Sequence, residues 1–324
     1  MEVDIDVDDR EVDRQMVDGK TILITGAGYL ATLLTQEFLA YYKPKKIILV
    51  SRNEDKQQFA KAAIPDPRGV CRFMIGDVRD AARMYMVMNG VDIVIHTAAM
   101  KRVDDIEYNP VECVKTNVDG TWNVAWAAIE RGVQKAIFIS TDKAVQPINL
   151  YGATKLTGEK MWIHANFLKP IFSVVRYGNV MGSTGSVLPL FRKIAENKLE
   201  FPVTDEAMTR FWVEPKQAAA LVDDALLGEP GHTYVAKSPT FRIADLCKAL
   251  YGRAKLKIIG LRPGEKIHET IIHSAERVTD GKGYWLIHPD IRFKEEAQHG
   301  ELLSRPITSK EDNITQGEIR RILK

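Results

Sequence analysis

Short apolar runs recur along the first half of the chain, separated by longer stretches whose apolar residues fall on one side of a helix. The runs are Thr21-Ile22-Leu23-Ile24, Lys46-Ile47-Ile48-Leu49-Val50, Val91-Asp92-Ile93-Val94-Ile95 and Ala136-Ile137-Phe138-Ile139. A weaker one is Arg72-Phe73-Met74-Ile75, and a later one is Phe172-Ser173-Val174-Val175. Continuous apolar runs of this length suit strands buried on both faces. The amphipathic stretches between them, residues 30–42, 110–131 and 150–167, predict helices. Strand and helix in alternation give an α/β fold, a doubly wound parallel sheet of Rossmann type with right-handed crossovers. Such sheets bind their ligands outside the carboxyl ends of the strands.

Beyond about Gly178 the alternation breaks down. Helical stretches at 187–197 and 216–227 mix with short strands and Pro/Gly turns. The pattern predicts three parts. Residues 1–18, with seven acids between Glu2 and Asp13, read as a solvated mobile tail. Residues 19–177 form the Rossmann domain, whose crevice is the expected cofactor site. Residues 178–324 are mainly a smaller substrate-binding region over the sheet's carboxyl edge, with some segments returning to the first domain.

Composition narrows the function classes. With 324 residues, 45% of them apolar, the chain can bury a sizeable core. A net charge of +2 leaves no electrostatic footprint for nucleic acid. No apolar run approaches the roughly 18 residues of a membrane span, and an acidic N-terminus does not read as a signal peptide. A cytoplasmic protein without a membrane partner is expected. Cys71, Cys113 and Cys247 lie far apart and form no metal-like pair, so reduced thiols and no metal are expected.

Gly26-Ala27-Gly28-Tyr29-Leu30-Ala31 follows the first predicted strand and opens the first helix. Glycines there let the backbone approach a pyrophosphate, and the helix N-terminus offers free N–H groups and a positive dipole end. At the tip of the second strand, where an acid would hold the ribose hydroxyls of NAD, stands Ser51-Arg52-Asn53. Arg52 would attract a 2′-phosphate, which favours NADP; a solvated surface charge is the alternative. Asp77 and Val78, after the third strand, stand where the adenine edge is expected, although a turn residue suits Asp77 as well.

Tyr151 and Lys155 are four apart in a helical stretch and share a face. A cationic neighbour lowers a phenol's pKa from about 10 and primes it to take a proton from a sugar hydroxyl. Asp142 and Lys143 stand side by side at the tip of the fifth strand. An acid and a base there suit an elimination; a surface ion pair is the plain alternative.

Thr25-Gly26, Gly28, Asn117 and Tyr151-x-x-x-Lys155 resemble the extended short-chain dehydrogenase/reductases. A denser set of motifs spans most of residues 19–290. It includes Gly76-Asp77-Val78-Arg79-Asp80, His96-Thr97-Ala98-Ala99-Met100-Lys101, Ser140-Thr141-Asp142-Lys143-Ala144, Arg176-Tyr177-Gly178-Asn179, Met208-Thr209-Arg210-Phe211-Trp212 and Arg262-Pro263-Gly264-Glu265-Lys266. Together these resemble the soluble inverting UDP-N-acetylglucosamine 4,6-dehydratases of pseudaminic acid biosynthesis.

The resemblance implies a UDP-sugar substrate, an NADP cofactor that is regenerated, and a homo-oligomer paired through helices flanking the site. Tyr151, helped by Lys155, would take the C4 hydroxyl proton, and Thr141 would help to hold the 4-oxygen. Lys143 would remove the C5 proton, and Asp142 would protonate the departing C6 hydroxyl. A lysine base needs its pKa lowered from about 10.4. The resemblance further implies Gly26, Gly28, Tyr29, Leu30, Ser51, Arg52, Asp77, Val78, Ala98, Ala99 and Lys101 around the cofactor. It implies Lys101, Asn179, Val187, Thr204, Met208, Arg210, Arg262 and Glu265 around the nucleotide sugar. The family's loop usually reads T-G-G-x-G-x-x-G; here it is one residue shorter and ends in Ala31. The competing activities are a UDP-sugar 4-epimerase, a retaining dehydratase, and an NADP-sensing binding protein without turnover.

Overall fold

The computed structural model describes residues 15–183, 185–197, 200–252, 254–290 and 299–323. Six parallel strands carry the first half: β1 (Thr21–Thr25), β2 (Lys46–Ser51), β3 (Cys71–Ile75), β4 (Ile93–His96), β5 (Lys135–Thr141) and β6 (Phe172–Tyr177). Their spatial order is β3-β2-β1-β4-β5-β6, so the direction of winding reverses between β1 and β4, where a doubly wound sheet opens its ligand crevice. β1 and β6 are buried along their whole length, as apolar runs flanked by helices on both faces require.

Past Gly178 the chain does two things. β7 (Asn179–Val180), β8 (Phe201–Val203), β9 (Thr209–Val213), β11 (Thr240–Arg242), β12 (Leu256–Ile258), β13 (Thr270–Ile272) and β17 (Ile307–Thr308) make three small sheets. By contrast, β10 (Thr233–Ala236) joins the main sheet parallel to β6. β15 (Tyr284–Ile287), β14 (Arg277–Asp280) and β16 (Glu301–Leu302) then extend it antiparallel, to ten strands. The helix Pro215–Leu227 also returns, burying Ala218, Leu221, Val222 and Ala225 in the core shared with the helix Tyr29–Tyr41. The core on the opposite face is built on Phe138, Trp162 and Phe172, with Trp162 edge-on to Phe172 at 5.1 Å. A third cluster, around Phe191, Phe201, Trp212 and Phe241, lies within the later segments.

Two expectations change. The acidic tail proposed for residues 1–18 falls, over 1–14, outside the described residues. Its last part is not solvated: Val17 is buried in the main core, and the Asp18 carboxylate accepts from the Lys43 N–H at 2.6 Å. The helix expected over 110–131 is broken by a π-helical turn, Lys115–Asp119. Such turns often mark functional sites because they re-aim a side chain. Here the turn carries Asn117 inward. Its amide accepts from the Met100 N–H (2.8 Å) and donates to the Met100 carbonyl (2.9 Å) and the Thr154 hydroxyl (3.1 Å). One buried side chain thus ties the loop after β4 to the helix Leu150–His164.

Candidate active site

The glycine loop leaves β1 with Gly26 at φ +99°, a backbone region that disfavours side chains, and a Cβ there would stand 2.8 Å from the Thr97 hydroxyl. Gly28 is the N-cap of the helix Tyr29–Tyr41; no side chain caps that end, and no acid lies in its first turn. A Cβ on Gly28 would meet nothing within 4 Å. A helix end with uncapped N–H groups facing open space fits the pyrophosphate of a dinucleotide. Tyr29 crosses from this loop to the later segments, donating its hydroxyl to the Met181 carbonyl at 3.1 Å. Leu30 is partly buried and packs its side chain against the core.

At the tip of β2, the Ser51 hydroxyl accepts from the Asn53 N–H at 3.2 Å. The Arg52 side chain is half-exposed and its guanidinium lies 3.3 Å from Asp77. Asp77 is gripped more tightly by Arg79, at 2.6 Å. Burial opposes the charge on Asp77, but the bonds from Arg79 and Arg52 outweigh it and hold its pKa below the ordinary value. Val78 is buried against Gly120 and in the core, so its side chain serves packing. Ala98 donates its N–H to the Thr25 hydroxyl at 3.2 Å and leads through Ala99 to Lys101. Partial desolvation and the nearby Lys56 cation lower the Lys101 pKa.

The helix Leu150–His164 is pinned against the tip of β5. Asn149 caps it, its side-chain oxygen accepting from the Gly152 N–H at 2.7 Å, while its amide donates to the Gly264 carbonyl at 2.7 Å. Gly152 is required by contact: a Cβ there would lie 2.2 Å from the Lys143 carbonyl oxygen. This approach brings Tyr151 to the short turn Asp142–Ala144. The Thr141 hydroxyl donates to Asp142 Oδ1 at 2.9 Å and acts, with Lys143, to lower the Tyr151 pKa against burial. Lys143 Nζ lies 3.0 Å from Asp142 Oδ1.

The charge states differ from the sequence expectations in two respects. Tyr151 was expected to be acidified by Lys155. Burial instead pushes its pKa up to about 12, and the cation that acts against this is Lys143. Lys155 points elsewhere, donating to the Ile139 carbonyl at 2.6 Å with its amine 3.7 Å from the centre of the Phe138 ring. Burial lowers its pKa to about 7, with Glu159 acting in the opposite sense. Lys143, in turn, was expected to need a lowered pKa. Burial does work against its charge, but the carboxylates of Asp142 and Glu269 prevail and hold it above the ordinary value. Asp142 is fully buried, and desolvation together with Glu269 raises its pKa despite Lys143.

Arg210 is buried on β9, donating to the carbonyls of Thr209 (2.6 Å) and Ile267 (3.1 Å). Asn179 has its side-chain oxygen buried without a hydrogen-bond partner. Thr204 donates to Glu265 at 3.1 Å. Arg262 is exposed, 3.7 Å from Asp104. Met208 and Val187 pack in the apolar cluster of the later segments, where their side chains fill space.

Reasoning from sequence missed three residues. Glu269 is buried beside Lys143 (3.3 Å), Arg210 (3.9 Å) and Lys266 (3.9 Å). Lys266 closes that group and donates to the Val145 carbonyl at 2.8 Å. Tyr177 has a buried hydroxyl without a partner, close enough to Tyr151 for their charges to interact. Asp142 Oδ2 and Glu269 Oε2 are likewise buried and unpartnered. Unsatisfied buried polar atoms are rare, and several near one strand edge suit a site built for a polar ligand. Nothing in the order of residues singles out Glu269, which follows Lys266-Ile267-His268 and meets Lys143 only through packing.

The family model described as polysaccharide biosynthesis protein matches residues 22–285. The chain is 45% identical over 287 residues to a UDP-N-acetylglucosamine 4,6-dehydratase (inverting) of Campylobacter jejuni subsp. jejuni serotype O:23/36, covering 86% of this chain and 85% of that protein. It is 40% identical over 289 residues to a UDP-glucose 4-epimerase of Rickettsia bellii, covering 84% of each. The X-ray structure of Pen from Bacillus thuringiensis superposes with a TM-score of 0.86 at 34% identity, covering 94% of this chain and 97% of that one.

Proposed function

The chain belongs to the polysaccharide biosynthesis protein family, and from that premise we propose that it is an inverting UDP-N-acetylglucosamine 4,6-dehydratase that works with NADP. The observation that carries this reading is the buried acid–amine pair Asp142–Lys143, tied to the Thr141 hydroxyl and close enough for the Lys143 charge to act on the Tyr151 phenol. An epimerase has no elimination to perform and no use for that pair. The 45% identity to an inverting dehydratase favours the same choice over the 40% identity to an epimerase.

Bound in this site, NADP would supply reversible hydride transfer, from C4 of the sugar and back to C6, with a proton returned to C5 on the face opposite the one it left. Gly26, Gly28 and the N-terminus of the helix Tyr29–Tyr41 would hold its pyrophosphate, and Arg52 is our basis for preferring NADP to NAD. Tyr151 takes the C4 hydroxyl proton. Its raised pKa makes the phenolate costly, and the Lys143 ammonium is the cation that offsets part of this cost. The new ketone acidifies C5–H. Asp142 and Lys143 share a proton across 3.0 Å. Moving it from the amine to the carboxylate yields the needed set in one step: a neutral amine to take the C5 proton and a carboxylic acid to protonate the C6 hydroxyl. The raised pKa of Asp142 favours this exchange and the raised pKa of Lys143 opposes it, so the neutral amine is a minor form on which the elimination draws.

In this reading residues 19–177 bind cofactor and residues 178–324 mainly bind the sugar nucleotide. Asn179, Thr204, Arg210, Arg262 and Glu265 are its polar contacts. Arginine suits the diphosphate by bidentate bonding. A homo-oligomer through the helices flanking the site accords with exposed Trp126, Phe167 and Leu168 along them. The test is mass spectrometry of UDP-hexoses incubated with the enzyme. Loss of one water from UDP-N-acetylglucosamine is expected; an isomer of unchanged mass would instead support the epimerase.

A further inference from the structure

Glu269 is mounted with unusual firmness for a side chain outside the reacting pair. Its N–H donates to the Ser309 hydroxyl at 2.9 Å and its carbonyl accepts from the Ser309 N–H at 2.8 Å. The Ser309 hydroxyl is itself bonded to Thr209 at 2.7 Å, next to Arg210. Only 2% of Glu269 is exposed, so its carboxylate cannot relax into water. Among the described residues, the charged groups facing it belong to the site: Lys143 from the tip of β5, Arg210 from β9, Lys266 from its own segment, and Asp142 beyond Lys143. One oxygen, Oε1, faces both Lys143 and Arg210, and Oε2 has no hydrogen-bond partner.

The charges make this arrangement intelligible. Lys143, Arg210 and Lys266 are three cations set against two carboxylates. Without Glu269, Asp142 alone would face all three, and the cations would repel one another at short range in a poorly solvated space. Lys143 is the most movable of them, with 22% of its side chain exposed, and would swing outward.

We propose that Glu269 is a positioning residue for the dehydration: a fixed anion that, opposite Asp142, clamps the Lys143 amine in the crevice and couples it to Arg210. The inference rests on the dehydratase reading for its catalytic consequence, but its physical content, the clamp, can be measured without substrate.

The decisive variant is Glu269→Gln, which keeps the shape and removes the charge. A negative charge nearby raises the pKa of a lysine and of a carboxyl alike, so its removal lowers both. Lys143 and Asp142 both feel Glu269 in that direction. Both limbs of the pH–rate profile should therefore move to lower pH, by about 1 unit. At the wild-type optimum kcat should fall by about 10²-fold, the scale of a misplaced acid–base group, while KM changes less. Glu269→Asp keeps the charge and should retain the wild-type pH optimum while recovering part of kcat.

The substrate-free measurement is an NMR titration of the Lys143 amine in ¹³C-lysine-labelled enzyme, assigned with Lys143→Arg. Its pKa should fall in Glu269→Gln and stay near wild type in Glu269→Asp. An unchanged Lys143 pKa in a Glu269→Gln protein that still folds overturns the clamp. So does an unshifted pH profile with a loss confined to thermal stability. If wild-type enzyme fails to release water while the Lys143 pKa still moves, the clamp stands and the dehydratase reading falls.

Discussion

Two inward-facing lysines, Lys143 and Lys155, meet opposite surroundings within one crevice. Lys143 sits between two carboxylates, and its ammonium is held above the ordinary lysine pKa even though burial works against it. Lys155, on the buried side of the tyrosine helix, has a carbonyl and an aromatic ring as its near partners, and desolvation takes its pKa down to about 7. Sequence spacing suggested the reverse: a cation at position 155 acidifying Tyr151, and a free amine at 143. The difference teaches that a lysine's role follows from what its amine touches. The strand-tip corner is an ionic cluster able to pass a proton internally. The helix side is a desolvated support whose charge is easily lost, with Glu159 the anion that opposes that loss.

The contrast can be broken most directly through the tyrosine. Tyr151→Phe removes the group that accepts the C4 proton, and turnover should fall by about 10³-fold or more, with no transient reduced-nicotinamide absorbance in stopped flow. Retention of that absorbance would place the first proton transfer elsewhere. Asp142→Asn should lower dehydration by about 10²–10³-fold, yet reduced nicotinamide should accumulate, because oxidation at C4 survives while the C6 hydroxyl cannot leave. Lys143→Met differs from it. It removes the base and also the cation that favours the Tyr151 phenolate, so both the absorbance and the product should be lost. If the two variants behave alike, the division of labour at the strand tip is wrong.

A smaller effect is expected at the cofactor's outer end. Arg52 is half-exposed and already paired with Asp77. Arg52→Ala should weaken NADP by about 10-fold relative to NAD, or about 1.4 kcal/mol, as read by titration calorimetry. Equal losses for both cofactors would show that Arg52 ignores the 2′-phosphate.

The smallest effect concerns stability. Unfolded, Lys155 keeps its proton up to about 10.5; folded, only to about 7. The unfolded chain therefore binds more protons between those values, and stability rises with pH across that window. Below about pH 7 the full cost of burying the charge is present. Lys155→Met should accordingly stabilise the unliganded protein at neutral pH by on the order of 1–2 kcal/mol and flatten that rise, while impairing turnover. Denaturant melts across the window would reveal it, and a variant less stable than wild type at neutral pH would count against a strained, desolvated amine.

All six parallel strands were legible in the sequence, most plainly β1, β2, β4 and β5, whose apolar runs leave little alternative, and more weakly the half-exposed β3. β10, β14 and β15 were not legible as members of the main sheet. They are short, follow irregular segments, and owe their place to β6, whose free edge a single sequence does not display. The helix 54–63 is mostly polar and is specified by its Asn53 cap rather than by an apolar stripe. In the site, Thr141, Asp142, Lys143, Tyr151 and Lys155 could be named because two short segments carry them. Glu269 could not, because it reaches Lys143 through the packing of β13 on the turn after β5, more than a hundred residues away. Charge states were the least legible, since they depend on burial and on partners that spacing does not reveal. The Tyr29–Met181 bond, which links the shortened glycine loop to the later segments, was hidden for the same reason.

The central claim, elimination by Asp142 and Lys143 beside an oxidising Tyr151, is tested most directly by NMR of the product formed from UDP-N-acetylglucosamine in heavy water. The account predicts a 4-keto-6-deoxy sugar nucleotide carrying solvent deuterium at C5, with the configuration at C5 inverted. A C4 epimer that retains its C6 hydroxyl and carries no deuterium at C5 would contradict it.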